Sequence, residues 1–186
     1  MLVACQGTAS DVTGGKAVVP TGEITAKDPS GAVVARVKPS TPCRVMVDGI
    51  EQIVGTAPLV SQIGTTRWSG DSATNGTTFK QGDKTIARMY AASDAELALF
   101  DPEGVAFIRA TRGKDGDVSI ADRQSTIVRQ AHVTTSAIEI SGTGPKIIVT
   151  GTNDVLLAAI LTAPEAIPEV RGLAACNRLF PSTKAF

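Results

Sequence analysis

Aromatic side chains are scarce in this chain: its 186 residues include one Trp, one Tyr and five Phe. Any core must therefore be packed by Val, Ile, Leu and Ala. Histidine occurs once, as His132, which removes His-rich metal sites and leaves a single candidate base for triad chemistry. An excess of one charge is missing too, because 18 basic and 18 acidic residues cancel. That balance supplies no electrostatic footprint for nucleic acid or an anionic membrane. Long apolar runs are also lacking. Val155 to Leu161 is the most apolar stretch, far short of the roughly 20 residues that cross a bilayer, and it reads as a buried strand or a short core helix.

Cysteine is sparse and widely spaced, at Cys5, Cys43 and Cys176. No C-x-x-C pair or Cys/His cluster is present, so a zinc site is not expected. One reading is three free buried thiols. The other takes Cys5, Cys43 and Cys176 as candidates for a disulfide or an inter-subunit contact. An odd count leaves one thiol over, and Cys5 and Cys176 stand in the two terminal segments, where a chain can reach a neighbour. On that basis Cys5 or Cys176 is expected at a subunit boundary.

What is abundant points to β structure. Eighteen glycines, ten prolines and many threonines suit strands and turns better than helices. A hairpin signature occurs twice: Glu23, Asp28-Pro29-Ser30-Gly31 and Arg36, then Glu96, Asp101-Pro102-Glu103-Gly104 and Arg109, with an offset of 73 residues from Asp28 to Asp101. Proline presets φ at the second turn position, aspartate bonds the backbone ahead of it, and glycine ends the turn without a Cβ penalty. Two related units, residues 23–47 and 96–120, are implied. Asp48-Gly49 is a two-residue hairpin turn between Cys43 to Val47 and Ile50 to Val54. Further strands are expected at Lys16 to Val19, Gly22 to Lys27, Ala32 to Lys38, Thr85 to Ala91, Glu96 to Phe100, Val105 to Thr111, Asp117 to Ala121, Thr134 to Ile140 and Lys146 to Thr150. Ser69 to Gly76 is rich in turn formers and reads as a contact loop with Trp68, Asp71 and Asn75 as candidate contact residues, Trp68 being read first as a core anchor beneath the loop and otherwise as an exposed contact.

The expected architecture is all-β, an antiparallel sandwich or barrel-like body over residues 16–164. Residues 1–15 form an N-terminal arm, and residues 165–186 a C-terminal segment with a short helix at Gly172 to Leu179 and a tail. Catalytic motifs are weak. Gly70-Asp71-Ser72 resembles a protease nucleophile tripeptide, but Ala73 replaces the next glycine and His132 follows the serine rather than preceding it. No G-x-S-x-G elbow is present. Asp115, Asp117 and Asp122 invite calcium, yet Thr126 stands where an EF-hand needs its glutamate. Gly14-Gly15-Lys16 is no P-loop, since Ser10 and Ala17 occupy its key positions. Arg36, Lys38 and Arg44 make the nearest thing to a basic cluster. No catalytic residue, metal or cofactor is expected.

Leu2-Val3-Ala4-Cys5 spells the lipobox at which bacterial lipoproteins are cleaved and acylated, but only Met1 precedes it. The preferred expectation is a chain made in a reducing cytoplasm; the alternative is a surface lipoprotein with a β-sandwich binding or adhesion module anchored through Cys5. With its arm at Met1 to Gly15, its paired turns at Asp28 to Gly31 and Asp101 to Gly104, and its tail at Asn177 to Phe186, the chain resembles structural proteins of tailed-phage virions. The resemblance implies a homo-oligomeric capsid decoration or head-associated protein that contacts itself and other virion proteins. Tail tube, collar and fibre components are the neighbouring possibilities, and contact with nucleic acid or membrane is not implied. It carries over no functional residues.

Overall fold

Strands in this protein alternate small or branched apolar residues with polar ones, and the alternation sorts each strand into an inner and an outer face. The computed structural model describes Pro20 and residues 22–73, 76–93 and 95–181. The elements are β1 (Ile24–Lys27), β2 (Val33–Lys38), β3 (Cys43–Val47), β4 (Ile50–Thr56), β5 (Leu59–Ile63), β6 (Thr66–Ala73), β7 (Gly76–Gln81), β8 (Lys84–Ser93), β9 (Glu96–Phe100), β10 (Ala106–Arg112), β11 (Val118–Ala121), β12 (Ile127–Val133), β13 (Ile138–Gly142), β14 (Ile147–Thr150), α1 (Val155–Leu161) and α2 (Pro168–Leu179). Each strand pairs antiparallel with the next, and β14 pairs with β1 to close a barrel of 14 strands. The sandwich alternative is thereby overturned in favour of a closed wall.

The two helices fill the lumen. Every residue of α1 is buried, as are Val170 to Asn177 and Leu179 of α2. α1 packs on β11, β12 and β13, while α2 packs on β3 to β6 and β8 across the interior, and the helices pack on each other. Val155 to Leu161 is thus a core helix rather than a strand. α2 begins earlier than its sequence pattern suggests because Pro168 occupies the first helical turn, where its missing N–H costs nothing. Inward residues such as Val37, Val45, Phe79, Leu99, Ile108, Ile120 and Ile140 meet the helices in one apolar core. The outer wall carries Arg36, Arg44, Glu51, Arg67, Arg88 and Arg109, all exposed. That polarity is the reverse of a membrane-spanning barrel, whose outer band is apolar. No helix among the described residues is long and apolar enough to cross a membrane.

Polar ties hold the hairpin of helices to the wall. Asp154 caps α1, accepting from the Leu156 and Leu157 N–H groups at 3.1 Å, and also receives Arg178 of α2. Asn177 Nδ2 donates to Thr77 Oγ1 at 3.0 Å and Gln52 Nε2 to the Pro168 carbonyl at 3.2 Å. Arg171, nearly fully buried, donates to the Leu161 carbonyl and to the Asp48 carboxylate. Burial lowers the Arg171 pKa, and the Asp48 charge opposes that shift. Cys43 of β3 and Cys176 of α2 form a disulfide, both fully buried. The free-thiol reading is therefore corrected, and so is the placement of Cys176 at a subunit boundary: the helix that carries it lies inside the barrel. Cys5 lies outside the described residues, as do the N-terminal arm, the Lys16 to Val19 strand, Asn75 and the last five residues of the tail.

The turns obey the sequence chemistry. Asp48 and Gly49 take φ of 47° and 81°, the left-handed pair of a two-residue hairpin turn. In the doubled signature, Asp28 N–H donates to the Ala32 carbonyl at 3.0 Å and Asp101 N–H to Val105 at 2.9 Å, with Gly31 and Gly104 at φ of 85° and 87°. Arg36 pairs with Glu23 and Arg109 with Glu96 on the outer wall. Two other expectations fail. Ser69 to Ala73 is strand, continuing β6, because Gly70 and Ser72 pair with Phe79 and Thr77 of β7. Thr134 to Ala137 is a turn, closed by the Thr134 hydroxyl and N–H donating to the Ala137 carbonyl.

Two predictions follow from backbone and turn chemistry. Gly151 sits at φ of 84°, and a Cβ there would fall 2.2 Å from the Glu23 carbonyl, whereas Gly144 at φ of 92° faces open space. Urea unfolding should show Gly151→Ala losing more than about 2 kcal/mol and Gly144→Ala only about 1 kcal/mol. The Ser30 hydroxyl, followed by backbone N–H groups of Ala32, Ser30 and Gly31, holds the Asp28 carboxyl below its ordinary 3.8. Because the folded pKa is depressed, this turn is at full strength above pH 3.8 and loses strength as pH falls through the folded value. In an NMR carboxyl titration, Ser30→Ala should raise the Asp28 midpoint toward 3.8.

Candidate functional site

The barrel has two unlike rims. The lower rim holds the first residues of β1, the last of β14 and the ends of the helical hairpin; the upper rim holds the turns after odd-numbered strands and the turn between the helices. At the upper rim four strands carry an extra residue: the registers skip Val34 in β2, Ile86 in β8, Phe107 in β10 and Val128 in β12. A bulge of this kind re-aims one side chain out of the strand's alternation. All four inserted residues are apolar and half-buried.

Ile86, Phe107 and Val128 lie on three successive hairpins and line one cleft of about 620 Å³, completed by Ala166 and Ile167 of the turn between the helices and Val170 of α2. Charged groups stand at its margin. Asp101 accepts from the Val105 N–H at 2.8 Å and pairs with Arg123. Asp122 Oδ1 accepts from the Gln124 and Thr126 N–H groups at 2.9 and 3.0 Å. Arg129, only 6% exposed, donates to the Thr162 carbonyl and to Glu165, each at 2.6 Å.

The Asp122 turn is a third copy of the doubled hairpin that sequence reading missed. Asp122 N–H donates to the Thr126 carbonyl and Ser125 N–H to the Asp122 carbonyl, both at 3.0 Å, as in the other two. Ser125 at φ of 60° replaces the glycine, and Arg123 replaces the proline, so the D-P-x-G pattern is lost. The inserted residues Val34, Phe107 and Val128 occupy equivalent positions in the three copies. The signal that could have found the third was the spacing from the turn Asp to an apolar residue six positions on. One position later the copies diverge: Ala35 and Ile108 point into the core, and the third places Arg129 there. That substitution anchors the helical turn beside the cleft.

The residues singled out from sequence are scattered. Trp68 is buried within β6, as the core-anchor reading requires, while Asp71 is exposed and pairs with Lys80 at 2.6 Å, raising the Lys80 pKa. Neither belongs to a loop. Ser72 bonds Thr77 on the inner side of β6, whereas His132 projects from the outer face of β12 and meets Asp117 at 2.6 Å. Six strand steps and the wall itself separate the two, so they cannot act as nucleophile and base. Asp122 gives one carboxylate oxygen, Oδ1, to its own turn, and no three His, Cys, Asp or Glu among the described residues converge to hold a metal. Arg36, Lys38 and Arg44 border a second, smaller groove of about 390 Å³ on the outer wall with Glu51, Ile53 and Gln62. Lys38 stands directly opposite Arg44, but Glu23 neutralises part of that charge by pairing with Arg36 and Lys38.

Arg129→Met keeps much of the volume but removes the donors to Thr162 and Glu165; urea unfolding should show a loss of about 1–3 kcal/mol. Glu165→Gln, which retains an acceptor at a more exposed position, should cost less than half as much. No family model, curated protein or solved structure matches the chain.

Proposed function

We propose that this barrel is an exported contact protein, a β module tethered to a bacterial surface through Cys5, which works by binding at its outer surface and rims. The observation that carries the reading is the buried Cys43–Cys176 disulfide. Structural disulfides form and persist in oxidising compartments and are rare in the cytoplasm, and this one locks α2 to the wall within the core, away from later oxidants. Leu2-Val3-Ala4-Cys5 supplies a matching acylation tetrapeptide. The small and polar residues that follow, Gln6 to Gly15, suit a spacer. A binding role in place of a transport or storage role is supported by the lumen, which the helices occupy, and by two concave surfaces outside it, the rim cleft and the outer groove.

The virion-assembly reading shares the contact role but has the chain fold in a reducing cytoplasm. The two therefore separate cleanly. Acid-quenched thiol trapping of freshly made protein should find Cys43 and Cys176 inaccessible to alkylation without reductant, and mass spectrometry of natural material should find a diacylated Cys5 as the first residue. Reduced thiols together with an intact Met1 would overturn export and leave assembly as a capsid decoration, tail or fibre component in its place.

A further inference from the structure

We propose that the upper-rim cleft binds a small organic cation with an apolar body. This goes beyond the surface tether and stands without it. Three independent rim bulges deliver Ile86, Phe107 and Val128 to one cavity. Its volume of about 620 Å³ falls within the range of small-molecule sites. Bulges interrupt ladder bonding, and three that converge on one cavity give it an apolar floor that unbroken strand alternation would not.

The charge at the margin selects the head group. Asp101, Asp122 and Glu165 face Arg123 and Arg129 around the cleft, an excess of one carboxylate. Arg123 is held by Asp101, and Arg129 is buried on Thr162 and Glu165. Asp122 uses Oδ1 on its own turn, and Glu165 uses Oε2 on Arg129, so each keeps a second carboxylate oxygen for a ligand. An entering anion would meet these carboxylates, whereas an ammonium group gains from both and from the aromatic side chain of Phe107 that lines the cleft. Ile167, 45% exposed at the cleft edge, gives the ligand's body an apolar contact.

The test uses the folded, disulfide-intact protein and calorimetric titration with benzyltrimethylammonium, with benzenesulfonate as the anionic counterpart. The cation should bind saturably at one site, at least about tenfold more tightly than the anion, and more weakly as salt rises. Asp122→Asn and Glu165→Gln keep their hydrogen-bond acceptors but lose charge; each should weaken cation binding about threefold, with thermal midpoints showing that the fold persists. Arg67→Gln, exposed on the outer wall and lining neither groove, should leave the affinity unchanged. Absence of saturable binding, equal affinity for the sulfonate, or indifference to both cleft variants would each overturn the proposal. Loss of Cys5 acylation would not affect this measurement, so failure of the tether and failure of the site are distinguishable.

Discussion

A wall of 14 strands encloses more space than its own inward side chains can fill, and the rest of this structure depends on how that space is filled. Here the polypeptide turns back on itself after β14 and packs its lumen with two helices. Because α1 is surrounded on every side, its sequence is apolar all round, Val155 to Leu161, rather than amphipathic. α2 carries more polar groups, and three of its side chains take partners in the interior, which lowers the cost of burying them. Arg171 finds Asp48 and Leu161, Arg178 finds Asp154, and Asn177 finds Thr77. These ties fix the rotation and depth of the helical hairpin, which apolar packing alone would leave under-specified. Gly172 adds a steric constraint, since a Cβ there would fall 2.3 Å from Gln52 Nε2.

The disulfide acts on the same constraint. Cys43 and Cys176 are 133 residues apart in sequence, and in the chain-entropy description closing a loop of that order disfavours the unfolded state by about 5 kcal/mol. The bond joins the plug to the third strand of the wall, so α2 cannot leave the lumen without carrying β3 with it or breaking the bond. The upper rim, by contrast, is built from repeated local chemistry. Three Asp-led turns, each followed by a bulge, give it a regular outline that one change of residue, an inward Arg129, adapts to hold the helical turn. The cleft arises where this repeated outline meets the helix hairpin.

Local features were legible in the residues. Asp48-Gly49, the two D-P-x-G turns and most strands follow from φ preferences and alternation acting within about ten residues. The errors fall where one specific hydrogen-bonding partner overrode the preferences of the residues taken singly. Ser69 to Ala73 looks like loop because Gly, Asp and Ser favour turns, yet β7 supplies ladder bonds that hold it extended. Thr134 to Ala137 alternates as a strand but is bent by a hydroxyl cap. The candidate site left only a faint trace, the spacing of six from turn Asp to apolar residue: bulges leave no composition signal, and Ser125 disguised the third turn by replacing its glycine.

By itself, the amino-acid sequence determined that this chain is a set of short antiparallel hairpins with aliphatic inner faces, because turn conformations and strand alternation are set by neighbours a few residues apart. It also made the pairing of two cysteines possible without naming them. Tertiary structure alone decided that the sheet closes, that the last helices occupy its lumen, that Cys43 meets Cys176, and that Ile86, Phe107 and Val128 share a cleft. The reason is physical: closure and filling are properties of the enclosed volume, which depends on the number of strands and on contacts between residues more than a hundred positions apart, and no short stretch of sequence carries that quantity.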